Sequence, residues 1–183
     1  MILSILPKNK SIHSFVCFME FQQDLLDWMQ DYPLTNTERP NWDEYYLMIA
    51  FFSSRRSSCL RHKIGAIIVK DNQIVSSGYN GSPPGSINCC DRGYCMRDKE
   101  KIESNTNLEI CYASGSHAES NAIVRAGRDL KGATLYLYGH QDVCNFCRGL
   151  ILQAGISKVV HLTEKDHDVV VHDPQNWIEH EQT

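Results

Sequence analysis

His117-Ala118-Glu119, followed 25 residues later by Cys144-Asn145-Phe146-Cys147, is the stretch from which the rest of the chain is read. One imidazole and two thiolates fill three corners of a tetrahedral zinc site and leave the fourth open for water. A carboxylate two residues beyond the imidazole is placed to move protons for that water. The three-residue step between the cysteines puts both sulfurs on one helical turn. Each cluster follows a loop and opens a predicted helix, where unpaired N–H groups and the helix dipole favour anionic ligands. A lone Cys-x-x-Cys is often structural, and a closed Cys/His zinc site uses the same residue types. The combination of His-x-Glu with Cys-x-x-Cys, each at a helix start, separates an open, reactive site from a closed one.

Working outward, His117–Ala126 and Cys144–Ala154 read as helices, Ala133–Tyr138 and Lys158–Leu162 as strands, and Val169–Val171 as a last short strand. Upstream, Ile64–Lys70 and Ile74–Ser77 are β-rich runs separated by Asp71-Asn72, a hairpin signal. Trp42, Tyr45, Tyr46, Met48, Ile49 and Phe52 predict a helix buried over much of its surface. The order α-β-β-α-β-α-β results. A Gly/Pro/Asn-rich loop (GYNGSPPGSIN, 78–88) precedes a cysteine-bearing segment that runs to about Ser116. Residues 1–39 read as an N-terminal extension and linker: Phe21, Leu25, Trp28 and Met29 share one side of a short helix, Pro33 ends it, and Met19 is an alternative start. The main domain is expected over 40–172, with 173–183 as a C-terminal tail.

The 183 residues suit one domain with an extension, and 42% hydrophobic with 22% charged residues is ordinary for a globular protein. A net charge of -4 and no long Lys/Arg run argue against a nucleic-acid polymer as partner and favour a small molecule. No run of 18 apolar residues is present, so no membrane span is expected. The N-terminus lacks a signal-peptide layout, so the eight cysteines are expected reduced in the cytoplasm and available for metal.

The His-Ala-Glu and Cys-x-x-Cys motifs are similar to the zinc deaminase signature, in which the glutamate is acid/base and not a ligand. One departure stands out: Val143 occupies the place, before the first cysteine, where that signature has proline. Proline there pre-sets φ and loses no needed donor. Histidine at 117 separates the chain from free-nucleoside cytidine deaminases. Gly78-Tyr79-Asn80-Gly81-Ser82-Pro83-Pro84-Gly85, with Arg56-Ser57-Ser58-Cys59, Lys63-Ile64-Gly65-Ala66 and Asn88-Cys89-Cys90-Asp91, resembles the deoxycytidylate (dCMP) deaminase family over about Asn41 to Leu162. The competence-operon deaminase-like proteins share this wider likeness.

The resemblance implies an α/β, cytidine deaminase-like three-layer fold, with a mixed sheet of about five strands between helices. It implies hydrolytic deamination of dCMP to dUMP, zinc on His117, Cys144 and Cys147, and Glu119 as the catalytic carboxylate. Asn80, Gly81 and Ala118 are then expected at the sugar and base, and Arg56 and Ser57 at the 5′-phosphate. The bland alternatives are a tight surface turn for 78–85 and a solvated arginine for Arg56. A second, structural zinc is implied on Cys59 and Cys89, with Cys95 and Cys111 where the family has histidines. Four unrelated buried thiols, or Cys90 in place of Cys89, are the alternatives there. Homo-oligomers and dCTP or dTTP as effectors follow by resemblance alone, Arg128 being a candidate for the effector. Rival functions are deamination of dCTP, a modified nucleotide or a free base, and a catalytically silent zinc module used for assembly.

Overall fold

A computed structural model describes residues 39–103, 106, 116–140, 142–162 and 169–179. The chain divides into two compact units, Met1–Pro40 and Asn41–Thr183. The expected helix at Phe21–Tyr32 and its linker lie outside the described residues. So do Cys17 and Cys111.

In the second unit the described elements are α1 (Trp42–Ser54), β1 (Gly65–Lys70), β2 (Gln73–Tyr79), α2 (Cys89–Arg92), α3 (Met96–Lys99), α4 (Ala118–Ala126), β3 (Thr134–Tyr138), α5 (Asn145–Gln153), β4 (Lys158–Leu162), β5 (Val169–His172) and α6 (Asn176–Glu179). The strands form one sheet in the order β2-β1-β3-β4-β5. β1 runs antiparallel to β2 and to β3, β3 and β4 are parallel, and β5 closes the sheet antiparallel to β4. This is the mixed five-stranded sheet that the resemblance implies.

The period-2 alternation of the strands sorts the core into two layers. Ala66, Ile68, Leu135, Leu137 and Val159 pack with Ala118 and Ala122 of α4 and Cys147 and Ile151 of α5. The intervening Ile67, Val69, Tyr136 and Val160 pack with Tyr46, Leu47 and Ala50 of α1. β1 is buried on both faces, and so its sequence reads as an unbroken apolar run.

Local chemistry sets the boundaries. Asn41 and Glu44 form a reciprocal capping box at the start of α1, with bonds of 2.7 and 3.0 Å. The β1–β2 hairpin turns at Asp71 and Asn72, with φ of 53° and 56°, a type I′ geometry that these two residues tolerate. β2 runs two residues beyond the expected Ser77, because Gly78 and Tyr79 still pair with Ala66 and Gly65. The expected burial of α1 is corrected in part. Tyr46 is buried, but Trp42, Tyr45 and Phe52 are 59%, 42% and 46% exposed. A single helix turns one stripe to a sheet, here Tyr46, Leu47, Ala50, Phe51 and Ser54. In the expected tail, Pro174 is buried and Trp177 of α6 packs against the core. No helix among the described residues is long and apolar enough to cross a membrane.

At the far edge, His161 Nε2 and His172 Nε2 lie 2.9 Å apart, and His161 Nδ1 is 3.2 Å from the Leu162 carbonyl. A carbonyl only accepts, so His161 carries its proton on Nδ1 and accepts from the His172 Nε2–H. Burial, and after it the neighbouring His161, lowers the pKa of His172. The unfolded chain then takes up the proton more readily. The contribution of His172 to stability is therefore full above a pH of about 6.5 and shrinks below it. The melting temperature is expected to fall between pH 7.5 and 5.5, and His172→Gln, which can still donate to His161, is expected to flatten that fall. Equal slopes in the two proteins would remove the assignment.

Candidate metal centre and active site

Gly65 pairs with Tyr79 on one side and Tyr138 on the other, so the start of β1 and the ends of β2 and β3 share one edge of the sheet. Beyond the carboxyl ends of strands is where open α/β sheets place their ligands. The loops leaving this edge enter α4 and α5, whose N-caps are His117 and Cys144.

Small residues on β2 allow α4 to sit close. Ser76 Oγ donates to the Ala122 carbonyl at 2.7 Å, and a Cβ on Gly78 would stand 2.1 Å from the Ala118 carbonyl oxygen. Asn121, which sequence reasoning passed over, donates to the Tyr79 carbonyl at 2.8 Å and ties the first turn of α4 to the end of β2. On the other side, Gly139 takes φ 87°, and a Cβ there would lie 2.2 Å from the Lys63 carbonyl oxygen. The loop into α5 therefore runs tightly past Lys63 and Ile64.

His117, Cys144 and Cys147 meet. His117 Nδ1 lies 3.4 Å from each sulfur, and the three ligand atoms fall within 4.8 Å of one another. Around tetrahedral zinc, with Zn–S of about 2.3 Å and Zn–N of about 2.0 Å, such atoms stand about 3.5 Å apart. Both the donor set and its spacing fit zinc. The Cys144 thiol is pulled down to about 3 by hydrogen bonds with Cys147 and His117, and the same sharing, with burial, pushes Cys147 up. The pair thus holds one negative charge readily and resists a second, and a divalent cation would relieve that resistance. Glu119, in the first turn of α4, is 4% exposed. Burial raises its pKa, against the opposing pull of its own backbone N–H and of His117. The neighbouring Glu119 adds to the rise at Cys147.

The expected substrate residues divide. Asn80 is 7% exposed and its side chain is engaged: Oδ1 accepts from the Ile64 N–H and Nδ2 donates to the His62 carbonyl, both at 2.9 Å. One N–H and one lone pair of the amide remain for other use. Gly81 N–H donates to the Ser116 carbonyl at 3.2 Å, beside His117. Ala118 is fully buried under the sheet edge. Ser57 is buried, and its hydroxyl accepts from the Cys59 N–H at 3.2 Å. Arg56 is exposed.

Of the second expected metal set, Cys59, Cys89 and Cys95 are each buried. Arg61 bridges the Cys59 loop to the α3 turn, through Asp98 at 2.6 Å and the Ile102 carbonyl at 3.1 Å. Cys90 Sγ donates to the Ser58 carbonyl at 3.4 Å. Among the described residues, the trio on His117 is the one group of three or more ligating side chains close enough to hold an ion. No disulfide joins the described cysteines.

The profile described as "Cytidine and deoxycytidylate deaminase zinc-binding region" matches residues 40–163. The deoxycytidylate deaminase of Schizosaccharomyces pombe is 35% identical over 133 residues, which cover 73% of this chain and 40% of that protein. The deoxycytidylate deaminase of Mycobacterium phage D29 is 40% identical, over 69% of this chain and 98% of that protein. The crystal structure of dCMP deaminase from cyanophage S-TIM5 in complex with dCMP and dUMP superposes with a TM-score of 0.51 at 31% identity, covering 69% of this chain and 84% of that one. The chain thus spans about two fifths of the length of its two yeast relatives.

Proposed function

Because this chain belongs to the cytidine and deoxycytidylate deaminase zinc-binding family, we propose that it hydrolyses the exocyclic amine of a deoxycytidine nucleotide, converting dCMP to dUMP with release of ammonia. The observation that carries the reading is the meeting of His117 Nδ1 with both cysteine sulfurs at 3.4 Å, beside a buried Glu119. A closed structural site has no use for that carboxylate.

When bound, zinc supplies a water of lowered pKa, about 7 instead of 15.7. Glu119 takes the proton of the incoming water as its oxygen adds to C4 of the pyrimidine. It passes that proton to N3, where it stays, and then carries the proton of the new C4 hydroxyl to the departing amine. The C4–N4 bond breaks, ammonia leaves and a carbonyl remains, with no change of oxidation state. Burial and the raised pKa suit Glu119 to both halves of this transfer, since a carboxyl above its ordinary range holds the proton better between the two steps. The Ala118 and Gly81 backbone and the unused half of the Asn80 amide face the base and sugar on this reading. Arg56 supplies the cation for the phosphate, and the Ser57 hydroxyl, which accepts from the Cys59 N–H, keeps its O–H to donate there.

A second, structural zinc on Cys59, Cys89, Cys95 and Cys111 belongs to the same proposal. It is supported by the burial of the first three and by the Arg61 tie between their loops. Homo-oligomeric assembly, dCTP or dTTP as effectors and a cytoplasmic location rest on the family likeness.

The test is loss of cytosine-ring absorbance with release of ammonia, measured on dCMP, dCTP, deoxycytidine and cytosine with zinc-loaded protein. The expected result is turnover of dCMP above the other three. Preference for dCTP would shift the substrate, and no turnover of any would favour a silent assembly module. Metal analysis is expected to find two zinc ions per chain. One zinc, with the four outer thiols titratable, would remove the second site.

A further inference from the structure

Val143 stands where the zinc deaminase signature has proline, and it is 2% exposed within the core. Unlike proline, valine brings an N–H that needs a partner when buried, and its φ is not fixed by a ring. Both of its main-chain polar groups are engaged by side chains. Its N–H donates to Asp142 Oδ1 at 2.7 Å, and its carbonyl accepts from Arg148 Nε at 2.9 Å. Those two side chains also hold each other, Arg148 Nη2 donating to the two Asp142 oxygens at 3.0 and 2.8 Å. The guanidinium lies over the Trp177 ring, 5.2 Å from its centroid, and Trp177 packs against the core. The closed circuit runs from the residue two before Cys144 to the residue after Cys147.

We infer that Asp142 and Arg148 form a buckle that sets the backbone of 143–147, so that the Cys144 and Cys147 thiols are held ready for His117. The buckle does in this chain the work that proline does in the signature. Both are positioning residues and touch no reacting atom. The inference rests on the zinc reading of the trio. An ion pair whose side chains are 31% and 58% exposed adds little to global stability. Its effect is expected on metal retention, because groups that orient metal ligands typically govern affinity by about 10- to 100-fold. Lysine is no substitute at 148: one ammonium does not supply both the Nε bond to Val143 and the fork to Asp142.

The experiment compares the full-length wild type with Arg148→Ala, Asp142→Ala, Arg148→Lys and the double variant Val143→Pro/Arg148→Ala. Zinc retention against a chelator and thermal melting are measured on each. Arg148→Ala, Asp142→Ala and Arg148→Lys are expected to lose zinc at least about 10-fold more readily, with melting close to wild type. Adding Val143→Pro is expected to restore most of the retention, a rescue that a generally weakened fold would not show. A wild type that holds no zinc at the trio would sink the zinc reading itself. A wild type that holds zinc, with single variants that hold it equally well, would overturn the buckle alone, and so would a double variant that regains nothing.

Discussion

Glu119→Gln is expected to leave a folded protein that keeps its zinc and has lost at least about 10²- to 10⁴-fold of its deaminase turnover, the usual contribution of a positioned acid/base. The substitution is nearly isosteric. Burial already favours the neutral carboxyl at this position, so a neutral amide costs the fold little. The trio that could hold the metal is His117, Cys144 and Cys147, and an amide at 119 removes none of them. What disappears is the ability to take a proton from water and return it to the ring and the amine. The measurement is zinc content beside ammonia release from dCMP. Turnover near the wild-type rate would show that another group carries the proton. Loss of zinc along with turnover would show that Glu119 supports the ligands instead.

Gly78→Ala is the second large effect, and it acts through the fold. The added methyl would meet the Ala118 carbonyl oxygen at 2.1 Å, the Ala122 N at 2.5 Å and the Ala122 Cβ at 3.0 Å. These are mostly backbone atoms of α4, and no rotamer relieves the contact. Either α4 lifts from β2 or β2 leaves β1, and in both cases Ser76 Oγ and the Asn121 amide lose their bonds to the neighbouring element. Overpacking of this kind costs about 1–3 kcal/mol when side chains give way, and more is expected where backbone must move. A drop in melting temperature of about 10 °C or more, or failure to fold, is expected for a domain of this size. Any folded fraction is expected to bind zinc weakly, because α4 carries both His117 and Glu119. Unchanged melting would mean that α4 does not approach β2 this closely.

Much of the site was legible because its chemistry is local. His117 and Glu119 are two residues apart, Cys144 and Cys147 three, and each pair sits on a helix start that its own turn defines. The hairpin was legible for the same reason, since Asp71 and Asn72 tolerate the positive φ of its turn. The expected burial of Trp42, Tyr45 and Phe52 failed where hydrophobicity had to stand in for direction. All three are apolar, but α1 turns a different stripe to the sheet. The engaged state of Asn80 was equally out of reach, because its partners at 62 and 64 come from another strand's approach. So was Arg148, which carries no motif and gains its role only from Asp142, Val143 and Trp177 around it.

Residue type and spacing alone singled out the candidate metal ligands and the carboxylate beside them, since those depend on ligand chemistry and on helix geometry within a few residues. Tertiary structure alone decided that His117 meets the two cysteine sulfurs at 3.4 Å. It also decided which polar side chains are spent on the frame and what holds the cysteine turn where proline is missing. These are contacts between segments distant along the chain, and packing of the whole sheet and its helices selects them, not any property of the segments themselves.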